Sequence, residues 1–115
     1  MKILLVVNDS PWGSTLAITA LRLARQIVSG SHTLEAVFFR GDGVYNAVTG
    51  TVADANTPEM AASWSGIARD GGTELMVCQS SARRRLASPP ATPFREAGLV
   101  EFVDRLAACD RVLTF

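Results

Sequence analysis

The stretch Lys2-Ile3-Leu4-Leu5-Val6-Val7, which turns polar at Asn8-Asp9-Ser10, decides the fold class. Residues 3–7 are an unbroken apolar run rich in branched side chains. A strand with one wet face alternates apolar and polar residues. A strand covered on both faces is apolar throughout, and such strands belong to parallel sheets. Working outward, Leu34-Glu35-Ala36-Val37-Phe38-Phe39 and Thr73-Glu74-Leu75-Met76-Val77-Cys78 read as further strands, and Arg111-Val112-Leu113-Thr114-Phe115 as the last.

Helices fill the gaps. After a loop marked by Pro11 and Gly13, residues Leu16, Ala20, Leu23, Ala24, Ile27 and Val28 recur at helical spacing, with Ser14 as the N-cap and Gly30 as the stop. Arg40–Ala47 is a loop punctuated by Gly41 and Gly43, and residues 48–56 read as coil. Thr57-Pro58-Glu59 starts a second helix, which carries Met60, Ala61, Trp64, Ile67 and Ala68 on its apolar face and ends at Gly71-Gly72. Gln79–Arg85 is a short helix, Ser88–Pro93 a loop, and Leu99, Phe102, Val103, Leu106 and Ala107 a final helical stripe. Alternating strands and helices predict one α/β domain over residues 1–115, three layers deep (α/β/α) around a mostly parallel, flavodoxin-like sheet. Right-handed crossovers put the loops after residues 8, 39 and 78 at the carboxyl edge of the sheet, where ligand chemistry sits in open α/β folds.

Composition narrows the function. Apolar residues make up 48% of the 115, which excludes intrinsic disorder. Charged residues make up only 19%, against about 25% in an average domain. A chain this small buries only about 65% of its unfolded surface, so high apolar content with few charges predicts that another subunit covers part of it. The net charge is zero, which predicts no direct nucleic-acid binding and no attraction to an anionic membrane. Ten arginines stand against one lysine, and arginine suits partly buried ion pairs and interfaces. No apolar run is long enough to cross a membrane, and five apolar residues near the start are too few for a signal-peptide core, so the chain is expected in the cytoplasm. In that reducing compartment Cys78 and Cys109 are expected as free thiols. They and the single histidine, His32, have no metal-site spacing, so a zinc site has no support.

Cys78 is the residue with chemical promise. It ends a buried strand and precedes a short helix, and Arg83-Arg84-Arg85 follow within two turns. A helix start and nearby guanidinium groups both favour thiolate, the nucleophilic form. Arg83 and Arg84 are therefore the expected thiolate-stabilising residues, although neighbouring helical positions point about 100° apart and cannot all serve one site. A solvated face is the alternative for the arginines, and a small buried hydrophobe the alternative for Cys78. Cys109, between a helix and a strand, has no such setting. His32 reads as a surface turn residue at the opposite edge. Trp12 and Tyr45 lie in carboxyl-edge loops and, with Asn46, are the expected walls of a pocket over Cys78, with capping of the local core as the alternative for the two aromatics. Cys78 and Arg84 also match C-x5-R, the spacing with which cysteine phosphatases and some arsenate reductases cradle an oxyanion. That cradle usually needs glycine, and Gln79-Ser80-Ser81-Ala82-Arg83 has none.

The chain resembles the DsrE/TusD family of small sulfur-transfer proteins nearly end to end. The likeness rests on Pro11-Trp12-Gly13 after the first strand, on Val37-Phe38-Phe39 leading into Gly43-Val44-Tyr45-Asn46-Ala47, and on the strand ending at Cys78 with Arg83-Arg84 beyond it. Gly98-Leu99 and Cys109-Asp110-Arg111-Val112 complete it. The resemblance implies a sulfurtransferase in which Cys78 carries sulfur as a persulfide. It implies partners as well: paralogous small subunits in a hetero-hexamer, or copies in a homo-oligomer, with upstream and downstream sulfur carriers. The sulfur would serve 2-thiolation of tRNA wobble uridine or sulfur oxidation. A structural subunit with an inert cysteine is the competing reading. The segment between Arg85 and Phe94 looks shorter than is typical of the family, by about a dozen residues, and is rich in proline.

Overall fold

The computed structural model describes residues 1–12, 15–49 and 59–115. The apolar run forms β1 (Lys2–Val7), which is buried from Ile3 onward and flanked by a strand on each side. It pairs with β2 (Thr33–Phe39) on one side and with β5 (Arg111–Thr114) on the other. β2 in turn pairs with β3 (Glu74–Cys78), and β3 with β4 (Phe94–Ala97). All four pairings are parallel, in the order β4-β3-β2-β1-β5.

This order explains the layers. From β1 to β4 the chain steps one way across the sheet, so right-handed crossovers put α1 (Leu16–Ser29), α2 (Met60–Gly71) and α3 (Gln79–Arg85) on one face. The return from β4 to β5 puts α4 (Leu99–Ala108) on the other. The side chains sort accordingly. Leu5, Val7, Val37, Phe39 and Val77 pack with Ala20, Trp64 and Ala82, whereas Leu4, Val6, Phe38 and Met76 pack with Phe102.

Several expectations need correction. Phe94–Ala97 is a strand that sequence periodicity does not reveal, because a four-residue edge strand holding Arg95 and Glu96 lacks an apolar run. The α4 stripe is mostly not core: Phe102 is its one buried residue, and Leu99 and Val103 are 71% and 52% exposed. In α1 the buried positions are Ala17, Ala20, Leu21, Ala24 and Ile27, and Leu16 is exposed. Thr15 occupies the N-cap there, and Ser14 lies outside the described residues. Thr57, Pro58 and most of the 48–56 coil lie outside them too; the Glu59 side chain caps α2 by accepting from the Ala61 N–H at 3.0 Å.

The glycine-marked loop is a 3₁₀ helix, Gly41–Ala47. Gly41 has φ +56°, in the left-handed region that favours glycine. At Gly43 a Cβ would stand 1.9 Å from the Val7 carbonyl oxygen, so only glycine lets this turn lie against the end of β1.

Candidate functional site at the end of β3

Phe39 lies opposite Val77, and Cys78 opposite Ala97, so the strand ends meet at one edge of the sheet. Side chains alternate along a strand. Val77 therefore faces the three-helix layer, and Cys78 packs on the α4 side with Phe38 and Phe102. There an open cavity of about 290 Å³ surrounds the thiol. Apolar walls come from Phe38, Ala97, Leu99 and Phe102, and polar groups from Arg40, Gln79 and Ser80. An ion-pair network holds α4 over this site. Arg105 reaches Glu74 at 2.6 Å and Glu35 at 3.6 Å, and Arg95 joins Glu74 to Glu101. The Arg95 guanidinium keeps the Glu101 carboxyl below its ordinary range.

Cys78 is half-buried and is the N-cap of α3. Burial pushes its thiol up, but the hydroxyls and N–H groups of Ser80 and Ser81 outweigh burial, and the thiol sits below its ordinary range. Sγ lies 3.5 Å from Ser80 Oγ. The Gly41 N–H donates to Ser81 Oγ at 2.9 Å, which leaves the Ser81 hydroxyl proton for the sulfur. Thus the 3₁₀ helix, α3 and the thiol form one hydrogen-bonded unit.

The arginines expected to stabilise the thiolate do not line its cavity. Arg83 lies by Ala82, Leu86 and Glu96 on a different cavity, and neither Arg83 nor Arg84 lines the one at Cys78. The groups that lower the thiol are the hydroxyls and N–H groups of Ser80 and Ser81. Arg85 pairs with Asp42 at 2.9 Å and ties α3 to the 3₁₀ helix. The C-x5-R reading loses its basis, because residues 79–85 form a helix rather than an open anion loop.

Trp12, Tyr45 and Asn46 do not line the Cys78 cavity. The 3₁₀ helix packs through Val44 and Ala47 on the three-helix face, and Cys78 points the other way. Trp12 and Tyr45 pack on each other, ring centroids 5.6 Å apart. Asn46 is fully buried; its amide donates to the carbonyls of Asp9 (3.1 Å) and Gly43 (2.9 Å) and accepts from Trp64 Nε1 (3.4 Å). It braces the carboxyl edge from below.

Cys109 caps α4 at the other end of the sheet, just before β5. Burial, then Glu35 and Asp110, push its thiol up. His32 is exposed at that same end, its Nδ1 3.2 Å from the Met1 amino group. Among the described residues, no three His, Cys, Asp or Glu side chains converge as a metal site, and no helix is long and apolar enough to cross a membrane.

Sequence reasoning missed Arg40, Ser80, Ser81 and Phe102 as parts of the site. Strand pairing carries the signal for Arg40, which directly follows β2 as Cys78 ends β3.

The fold and cavity define a class: a parallel α/β protein with a cavity lined by a cysteine at a strand end. Comparison with known proteins takes the identification further. The DsrE/DsrF-like family pattern matches residues 1–115, and the chain belongs to that family. It is 32% identical to the "Sulfurtransferase TusD homolog" of Vibrio parahaemolyticus, over 96% of this chain and 95% of that one. It is 29% identical to "Sulfurtransferase TusD" of Cronobacter sakazakii, over the full length of both; that alignment spans 128 positions against 115 residues here, so the relative carries residues without a counterpart. The crystal structure of the ychN protein from E. coli superposes with a TM-score of 0.87 at 24% identity, covering 100% of this chain and 99% of that one, and shares the fold.

Proposed function

We propose that this protein is a sulfurtransferase of the TusD kind, a relay that holds sulfur as a persulfide on Cys78. The observation that carries the reading is the placement of Cys78: a half-buried thiol, below its ordinary range, in an open cavity at the sheet edge. In the loading step the Cys78 thiolate attacks the outer sulfur of a donor persulfide, R–S–SH. The Sγ–S bond forms, the donor S–S bond breaks, and the donor leaves as a thiolate that takes up the proton of the outer sulfur. Hand-over repeats this exchange with an acceptor thiolate, and Cys78 is then the leaving group. No net oxidation occurs, and no metal or other cofactor is needed.

The sulfurtransferase names of the relatives support a relay role; on this reading the protein works among other sulfur carriers and small subunits in the cytoplasm and delivers sulfur to tRNA wobble-uridine 2-thiolation or to sulfur oxidation. Exposed Leu99, Val100 and Val103 on α4 and Val112 and Leu113 on β5 suit coverage by such subunits. The test is relay. After incubation with a small persulfide and removal of excess, the protein should gain one sulfur atom and give it up to an acceptor thiol. Cys78→Ser should do neither. A folded Cys78→Ser variant that still relays sulfur would refute the proposal.

A further inference from the structure

We infer that Arg40 holds the charge of the outer sulfur in this site. The inference rests on the reading of Cys78 as a persulfide carrier and assigns a role to a residue outside the expected set. Phe39 pairs with Val77, so Arg40 and Cys78 are the next residues on adjacent strand ends. Adjacent strands lie about 4.8 Å apart, and side chains at matching positions emerge on the same face. Both residues line the same cavity. Among its described lining residues, only these two carry charge or titrate near neutral pH.

The chemistry of the walls favours a cation at this place. Sγ already has its donors, the groups of Ser80 and Ser81. A sulfur bonded to it stands about 2 Å further out, beyond those donors and into the cavity. Phe38, Ala97, Leu99 and Phe102 offer that atom no hydrogen bond. A persulfide is a stronger acid than its thiol, and an anion set against apolar walls is costly unless a charge or donor meets it. Guanidinium is weakly hydrated and suits a large, diffuse anion. Arg69, Arg85, Arg95 and Arg105 are engaged in ion pairs, whereas among the described residues the Arg40 side chain has no such partner and is available.

The experiment uses the full chain with Cys109→Ser, loaded with a small persulfide. Intact mass reads loading, and the pH dependence of alkylation by a neutral electrophile reads the charge on the outer sulfur. Arg40→Gln should move the alkylation inflection of the loaded form to higher pH and slow loading at neutral pH roughly three- to tenfold, the range for one partly exposed charged hydrogen bond. Arg40→Lys should recover most of both, and Arg83→Gln and Arg84→Gln should change neither. Thermal unfolding should be unchanged in all of them. If wild type loads and Arg40→Gln matches it in rate and pH profile, the inference falls and the carrier reading stands. Equal effects from Arg83→Gln or Arg84→Gln overturn it too. If wild type gains no sulfur, both fall.

Discussion

Replacing Asn46 with alanine should damage the fold far more than the sulfur site. The Asn46 amide joins three segments: the loop after β1 through the Asp9 carbonyl, the 3₁₀ helix through the Gly43 carbonyl, and α2 through Trp64 Nε1. Asn46 and Trp64 are both fully buried. Alanine would leave the indole N–H buried without a partner, at about 1–3 kcal/mol, and would remove the hydrogen bonds to the Gly43 and Asp9 carbonyls, at about 0.5–1.5 kcal/mol each. The Trp64 bond is long at 3.4 Å, and the Asp9 contact is only part-buried, so neither adds its full value. The net cost is then about 2–4 kcal/mol. At about 4 °C per kcal/mol for a chain of this length, Tm should fall by roughly 8–16 °C. Asn46→Asp should be worse, because it would bury a charge against two carbonyl oxygens. Thermal unfolding followed by circular dichroism measures the drop, and sulfur loading well below Tm measures the site. A Tm within about 3 °C of wild type, under the same scale, with loading abolished would refute this reasoning and restore Asn46 as a wall of the sulfur pocket.

Other outcomes follow from the same geometry. Ser81→Ala removes a donor to the Cys78 sulfur and the acceptor of the Gly41 N–H. The lowered thiol contributes stability above its ordinary range that is lost as pH falls through the folded value. The variant should therefore move the alkylation inflection upward and slow alkylation at neutral pH; an unchanged profile would contradict the assigned cause. Gly43→Ala drives a Cβ into the Val7 carbonyl and should cost at least about 3 kcal/mol in denaturant unfolding. Light scattering at micromolar concentration should give a mass above the 12.3 kDa of one chain, alone or with partner subunits added; 12.3 kDa in both cases would count against covered apolar surfaces.

The parallel sheet was legible because residues 3–7 admit no wet face, and the position of Cys78 followed from the end of its strand. β4 was hidden because an edge strand of four residues with two charges has no periodic signature. Arg83 and Arg84 are close to Cys78 along the chain but do not line its cavity, because linear proximity is not spatial proximity. A helix carries those guanidinium groups away, while serines two and three residues on fold back to the sulfur. Arg40 was missed, and Trp12, Tyr45 and Asn46 misplaced, for a shared reason: which face Cys78 points to depends on strand register, and register is a property of paired strands rather than of one.

The central claim is that Cys78 alone carries the sulfur. Cys109 lies just before β5, at the opposite edge of the sheet from Cys78 at the end of β3, and its thiol is pushed up rather than down. Trypsin separates the two cysteines, placing Cys78 in the fragment 70–83 and Cys109 in 106–111. After loading with a small persulfide and blocking with an alkylating agent, peptide mass spectrometry should find the extra sulfur in 70–83 and a plain alkylated thiol in 106–111. Sulfur in 106–111, or in neither fragment, would contradict the account.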